Sequence, residues 1–239
     1  MKIRSIASSS SGNCHIVEHN GSRLMLDAGL TKKQLRSKQV KLSDLAGCLC
    51  SHLHSDHSKG VRDLLKAAVD VYLLESTATA LQLPRSHRRH IITPMQYFKV
   101  GSFEVAGFEG FHNVPVLGFQ IKAGDERLVY LTDTAYCQYT FPGLTHLIVE
   151  ANYDPDSLEA SAKHQPELVR RVIHDHLGAE NVIKILEDND LSKLKEVRLV
   201  HLSDANANEE VIVSLVKEVL PDKVVLTVAQ KNGGVKTYE

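Results

Sequence analysis

Three histidines and a carboxylate fall within six positions in Ser51-His52-Leu53-His54-Ser55-Asp56-His57-Ser58. Imidazole nitrogens and a carboxylate oxygen converging in so short a span suit Zn²⁺ or a similar borderline divalent ion. The order His-x-His-x-Asp-His argues against a solvated histidine-rich loop, because regular elements bracket it. Ahead of it, Ala46-Gly47-Cys48-Leu49-Cys50 is an apolar run of the kind that forms a buried strand. After it, the stretch from Lys59 to Ala68 places apolar residues at helical spacing. The candidate metal site therefore sits where a core strand ends and a helix begins. Further ligand-type side chains fall just off strand ends: His112 in Phe111-His112-Asn113 and Asp133 in Thr132-Asp133-Thr134. Glu150, near the end of the apolar run from His146 to Ala151, is a carboxylate that is costly to bury unless it is paired.

The elements that must position these groups can be read in order. Residues 2–7 and 14–19 pattern as strands, and Asn20-Gly21 is a strong hairpin signal into a third strand over 22–26. That strand ends at Asp27-Ala28-Gly29, where an acid often supports a site without binding directly. Ser8-Ser9-Ser10-Ser11-Gly12-Asn13 reads equally as a flexible turn or as a rim that hydrogen-bonds an anionic substrate. Residues 31–40 pattern as a helix with Thr31 as N-cap. A strand over 70–74 and a helix over 76–83 follow, then strands over 103–108, 116–122 and 127–131. The last third predicts helices over 165–175, 178–188 and 208–220, with strands over 196–202 (containing His201) and 223–228. Strands crowd the first part and alternate with helices later, which predicts packed sheets with helices outside, in a single domain over 1–239.

The composition is that of a soluble globular protein, with 43% hydrophobic and 24% charged residues in a 239-residue chain. No apolar run approaches the roughly 20 residues of a membrane span, and no signal peptide opens the chain. The expectation is a cytoplasmic protein without a membrane partner. Cys14, Cys48, Cys50 and Cys137 form no C-x-x-C pair and lie in apolar contexts, so they read as small buried hydrophobes in a reducing compartment. A net charge of −1 gives no global attraction to nucleic acid. Local attraction has two candidates. Lys32, Lys33, Arg36, Lys38 and Lys41 read first as a solvated helix face. Arg85, Arg88, Arg89 and His90 read equally as a phosphate contact or an exposed loop.

Taken in order, Asp27 in Leu-Asp-Ala-Gly, the 52–57 cluster, His112, Asp133 in Thr-Asp-Thr and His201 in His-Leu-Ser resemble the metallo-β-lactamase-fold hydrolases. The resemblance covers nearly the whole chain. It implies an α/β, αββα sandwich: two facing mixed β-sheets flanked by helices, with metals at one edge. It further implies two divalent cations per chain, zinc ahead of manganese. His52, His54 and His112 would hold one cation. Asp56, His57 and His201 would hold the other, Asp133 would bridge the pair, and Asp27 would support them. The implied chemistry is hydrolysis by a hydroxide activated between the cations.

Ala7-Ser8-Ser9-Ser10-Ser11-Gly12-Asn13, Thr132-Asp133-Thr134 and His201-Leu202-Ser203-Asp204-Ala205-Asn206 resemble the YycJ (WalJ/VicX)-like branch, including compact phage versions, whose activity is of the DNA exonuclease type. This chain departs from it in carrying Ser8-Ser9 where the branch often has Ser-Gly, and Asp175 where it often has Ser or Gly. Glu150 and His176 also resemble a glutamate–histidine pair of ribonuclease Z-type phosphodiesterases, with His174 as rival for the second place. A histidine held by a carboxylate keeps its charge and can stabilise a phosphate oxygen or protonate a leaving oxygen. Asp56, Glu150 and His176 are thus the expected catalytic residues. The expected function is a metal-dependent phosphodiesterase acting on nucleic acid, a DNA nuclease first. A small cyclic-nucleotide phosphodiesterase is the alternative, and acyl hydrolysis ranks below both. Related compact enzymes often dimerise, so a homodimer is a further expectation.

Overall fold

The computed structural model describes residues 1–238. Its first sheet has the order β1 (Lys2–Ala7), β2 (Cys14–His19), β3 (Ser22–Leu26), β4 (Leu45–Leu49), β5 (Val71–Leu73), β6 (Arg89–Ile91). The second runs from β7 (Tyr97–Val100) through β8 (Phe103–Glu109), β9 (Leu117–Ala123), β10 (Glu126–Leu131), β11 (His146–Glu150), β12 (Glu196–Val200) and β13 (Val225–Ala229) to β14 (Val235–Tyr238). Both sheets are mixed. β3 to β6 are parallel, as are β10 to β13, while the hairpins β1–β2–β3 and β7 to β10 are antiparallel. The β2–β3 turn is Asn20-Gly21 with φ of 46° and 77°, the left-handed pair that a tight hairpin requires.

Three apolar clusters make the layers. Val17, Leu24, Leu26 and Leu49 of the first sheet pack with Val105, Phe119, Ile121 and Tyr130 of the second, so the sheets face each other. The outer face of the first sheet is covered by α1 (Lys32–Ser37), α3 (Val61–Lys66) and α4 (Glu75–Ala80) through Leu35, Leu64 and Ala78; the one-turn helix α2 (Ser55–Ser58) precedes α3. The outer face of the second sheet is covered by α7 (Ala179–Glu187) and α8 (Glu209–Lys217) through Val182, Leu186, Ile212 and Val216. A smaller cluster of Tyr153, Leu158, Val169 and Val172 joins α5 (Pro155–Ala162) to α6 (Pro166–Asp175). The result is the αββα sandwich expected from sequence.

Several boundaries differ from the sequence reading. The strand expected over 196–202 ends at Val200, because His201 takes φ of 56° and turns the chain out of the sheet. The helix expected over 59–68 is shorter, Val61–Lys66, and a separate one-turn helix at Ser55–Ser58 precedes it across Lys59-Gly60. α5 and the edge strands β6, β7 and β14 were not anticipated. In the basic stretch at 85–90, Arg85 and His87 are exposed, while Arg88, Arg89 and His90 are half-buried and engaged with neighbouring groups. Arg88 and His90 lie 3.4 Å and 3.1 Å from Asp70, Arg89 donates to the Leu83 carbonyl, and His90 stacks on Tyr72. Thr31 does cap α1, in a capping box with Gln34.

Candidate metal centre

The candidate site lies at the carboxyl ends of β3, β4, β10, β11 and β12: Asp27, His52, Asp133 and His201 follow the first, second, third and last of these within three residues, and Glu150 is the last residue of β11. Parallel strands leave their carboxyl ends open to a ligand, and both sheets present them at the same edge. Three of the residues there are in the left-handed region without being glycine: Asp27 (φ 59°), Asp133 (φ 50°) and His201 (φ 56°). Each turns the chain sharply off its strand. Tight backbone contacts fix the segment before α2. A Cβ on Gly29 would collide with the Asp56 carbonyl and the Asn13 backbone, and one on Gly60 with the Leu30 carbonyl. Hydrogen bonds from Asn13 N to Asp56 O (2.7 Å), Ala28 N to His57 O (2.8 Å) and Gly60 N to Ala28 O (2.8 Å) complete this brace. The glycine of Asp-Ala-Gly is there to let α2 approach.

Two donor sets converge, with their ligand atoms within 4.8 Å: His52, His54, His112 and Asp133 in one, Asp56, His57, Asp133 and His201 in the other. Asp133 Oδ2 lies between them, 3.2 Å from His52 Nε2 and 3.1 Å from His57 Nε2. The remaining ring nitrogens are occupied in a way that fixes the tautomers. His52 Nδ1 lies 3.0 Å from Ser51 Oγ, which itself donates to Asp27 Oδ2 at 3.0 Å. His57 Nδ1 donates to Asp27 Oδ2 at 2.6 Å, and His112 Nδ1 to the Asp175 carbonyl at 2.8 Å. His201 Nδ1 lies 2.7 Å from Glu150 Oε1 and 2.8 Å from Asp133 Oδ1. Each of these histidines thereby turns its other ring nitrogen inward, the arrangement that orients imidazole ligands. His52 Nε2 and His201 Nε2 are buried without a hydrogen-bond partner, and His112 Nε2 faces His54 Nδ1 at 3.2 Å. Buried lone pairs so placed are unfavourable unless a cation sits among them. The residues present fit divalent metal ions.

The electrostatics agree. Burial, and then mutual repulsion, pushes His52, His54 and His112 below the usual imidazole range, leaving neutral rings with lone pairs to give. Burial also opposes charge on His57 and His201, but Asp133 outweighs it, aided by Asp27 at His57 and by Asp56 and Glu150 at His201, and holds both well above that range. For Asp133 burial works the other way, and the charges of His201 and His57 overcome it to hold the carboxylate well below the ordinary range. A place that favours protons this strongly favours other cations.

Beside the second set sits a carboxylate with no solvent access. Glu150 Oε1 lies 2.7 Å from His176 Nδ1 and from His201 Nδ1; Oε2 accepts from Asp133 N (2.9 Å) and Leu177 N (3.2 Å). Burial penalises the Glu150 charge, yet His176 keeps its carboxyl below the usual glutamate range. His176 is raised in turn: burial opposes its charge and the Glu150 carboxylate prevails. His176 faces a cavity of about 490 Å³ that is also lined by His54, Asp56, His112, Asp133 and His201. His174, the rival, points away, with its side chain 76% exposed and its Nδ1 on Asp175.

Residues 22–202 match the family described as the beta-lactamase superfamily domain. The chain belongs to the beta-lactamase superfamily. Within it, exodeoxyribonuclease WalJ of Streptococcus pneumoniae serotype 2 is 30% identical over 231 residues, covering 87% of this chain and 84% of that protein. Exodeoxyribonuclease YycJ of Bacillus anthracis is 27% identical over 235 residues, covering 91% and 88%. Among solved structures, the metallo-beta-lactamase fold protein YhfI of Bacillus subtilis superposes with a TM-score of 0.75 at 18% identity, covering 99% of this chain and 98% of that one. The αββα arrangement is therefore the metallo-β-lactamase fold, in a YycJ-like member of the superfamily.

In this superfamily member the structure brings together His52, His54, Asp56, His57, His112, Asp133, Glu150, His176 and His201, with Asp27 beneath them. It also supplies partners that the sequence reading passed over. Asn13 Nδ2 lies 3.2 Å from Asp56 Oδ2 and 3.0 Å from His57 Nε2, and Ser8 Oγ accepts from His201 N at 2.8 Å. The serine loop thus braces the donor sets from beneath, while Ser10 reaches the cavity wall. Tyr130 donates to Asp27 Oδ2 at 2.6 Å, a role signalled only by a hydroxyl inside an apolar strand. Asp175, a carboxylate at the buried end of α6, takes Asn113 Nδ2 at 2.9 Å beside His112.

Proposed function

We propose that this chain is a metal-dependent phosphodiesterase that degrades DNA, working from a chain end as the WalJ and YycJ relatives are named to do. We assign one cation to His52, His54 and His112 and a second to Asp56, His57 and His201, with Asp133 shared and zinc as the metal. The unpartnered Nε2 atoms of His52 and His201 support that assignment. The core shared by both sheets supports a single domain over residues 1–239. Four unbridged cysteines support a cytoplasmic location. No helix among the described residues is long and apolar enough to cross a membrane.

The observation that carries the phosphodiester reading is the Glu150–His176 pair beside the donor sets. Two divalent cations bound there would supply Lewis acidity, an activated water and countercharge for the developing oxyanion. What remains for the protein in phosphodiester cleavage is to steady the phosphate oxygens and deliver a proton to the departing oxygen. His176 is placed for both. Glu150 fixes Nδ1, which leaves the ring's other nitrogen for the cavity, and maintains the imidazolium. An acyl substrate has less use for such a group. Asp27 and Ser51 hold His57 and His52 in the tautomers that leave Nε2 free.

The test incubates purified protein and Mn²⁺ or Zn²⁺ with single-stranded DNA, duplex DNA, RNA, a cyclic nucleotide and a thioester. DNA should be shortened fastest. His54→Ala should lose most bound metal and activity. His176→Ala should keep its metal and slow DNA cleavage by about a hundredfold or more. A thioester turned over faster than DNA, or a His176→Ala variant at full speed, rules the reading out.

A further inference from the structure

Arg171 lines the wall of the cavity that holds the candidate site. Among the described residues lining it, Arg171 is the only lysine or arginine, whereas Asp56, Asp133, Asp175 and Asp204 contribute carboxylates. It belongs to a stripe, Leu168, Arg171, Val172 and Asp175, at the three- and four-residue spacing of one helix face. Its neighbours are engaged elsewhere on α6: Arg170 pairs with Glu167 at 3.0 Å and His174 with Asp175 at 2.9 Å. Arg171 itself has no hydrogen bond or ion pair with any described residue. The residue is exposed, and the donors of its guanidinium are unspent among the described residues.

A planar fork of donors with no protein partner is suited to phosphate. Its position decides which phosphate. The scissile group belongs between the donor sets and His176, which follows the last residue of α6. Arg171 lies four residues before Asp175, about 6 Å along the helix axis. It stands one turn beyond the reacting position, on the same wall. We propose that Arg171 holds the phosphate adjacent to the scissile one, so that the site selects a polynucleotide over an isolated diester. This inference rests on the phosphodiesterase reading above.

The wild type, Arg171→Ala and Arg171→Lys are compared on oligothymidylate and on thymidine 5′-(p-nitrophenyl phosphate), which carries no second phosphate. Arg171→Ala should lower the ratio of kcat/KM on the oligomer to kcat/KM on the ester by about tenfold, mainly through KM. The slope of log kcat/KM against log salt on the oligomer should become shallower by about 0.7, the loss of one single-strand phosphate contact. Arg171→Lys should restore the slope and only part of the ratio, because a point charge lacks the fork. Equal losses on both substrates, or an unchanged salt slope, overturn the role of Arg171 while leaving the phosphodiesterase reading intact. A wild-type protein that hydrolyses a thioester but neither phosphodiester overturns that reading and this inference together.

Discussion

Glu150→Gln keeps the shape of the side chain and removes its charge, and the structure says where the damage must fall. Every partner of the two oxygens is positioned as a donor: His176 Nδ1 and His201 Nδ1 on Oε1, Asp133 N and Leu177 N on Oε2. Asn152 Nδ2 adds a weaker contact to Oε1 at 3.4 Å. An amide must turn its NH₂ toward one of these sets. If it faces Asp133 N and Leu177 N, two buried backbone donors lose their acceptor, at about 1–3 kcal/mol each. The variant would then be destabilised by about 2–6 kcal/mol. If it faces the imidazoles, both rings must carry their hydrogen on Nε2. For His201 that is the nitrogen aimed at the second donor set, so that cation would be excluded. In either orientation His176 loses the carboxylate that keeps it charged, and DNA cleavage should slow by about a hundredfold or more. Thermal unfolding, metal content by mass spectrometry and cleavage of labelled DNA separate the outcomes. A Glu150→Gln protein with wild-type stability, two bound metals and undiminished cleavage would refute the reasoning.

Two more perturbations test the supporting structure. In Asp27→Asn the Oδ2 position, which accepts from His57, Ser51 and Tyr130, would be half replaced by a donor. Loss of such a partner should weaken metal binding by about 10- to 100-fold in a chelator competition, and unaltered affinity would remove Asp27 from the account. His15 is fully buried against Ser5, and burial, followed by the charge of Arg198, lowers its pKa from 6.5 to about 3. Between those values the unfolded chain binds a proton that the folded chain refuses, so stability is complete above pH 6.5 and falls as the pH drops. At pH 5 this one group should cost about 2 kcal/mol. The denaturant-measured stability of His15→Gln should therefore decline less steeply from pH 7 to pH 5 than that of wild type; identical slopes would show that His15 does not titrate in this way.

The parts of this fold that were legible in the sequence are those encoded locally. Six consecutive positions carry four of the candidate ligands, and buried strands such as β4 and β10 announce themselves as apolar runs. The short edge strands were illegible because an edge is half solvated: β14 exposes Val235, Lys236 and Thr237, and β6 is mostly charged and polar. The helix α5 does carry a local signal. Asp154 caps it and Pro155 opens it, the side-chain oxygen taking Ser157 N at 2.9 Å. The strand ending at Val200 was overrun by two residues because Leu202 continues the apolar pattern, and nothing in His201 announces a left-handed turn. Long-range partners were hardest of all. Tyr130 meets Asp27 across 103 positions, a contact created by two sheets facing each other and not by any local pattern.

The backbone at the site explains why those partners matter. Asp27, Asp133 and His201 each occupy the left-handed region, where a residue with a Cβ pays about 1–2 kcal/mol. Together that is about 3–6 kcal/mol, a large share of the roughly 5–15 kcal/mol that holds a domain folded. Such a conformation persists only if its surroundings pin it. Here each strained residue has its N–H bonded to a different part of the chain: Asp27 N to Leu49 O at 2.8 Å, Asp133 N to Glu150 Oε2 at 2.9 Å, His201 N to Ser8 Oγ at 2.8 Å. The turns direct Asp133 and His201 into the cavity and Asp27 against His57, and the pins come from the neighbouring strands and the serine loop. Glu150 is where the two demands meet, since one carboxylate holds the strained backbone of Asp133 and orients both His176 and His201. That shared duty is why an acid lies buried at the end of β11, and why its replacement should disturb fold, metal and chemistry together.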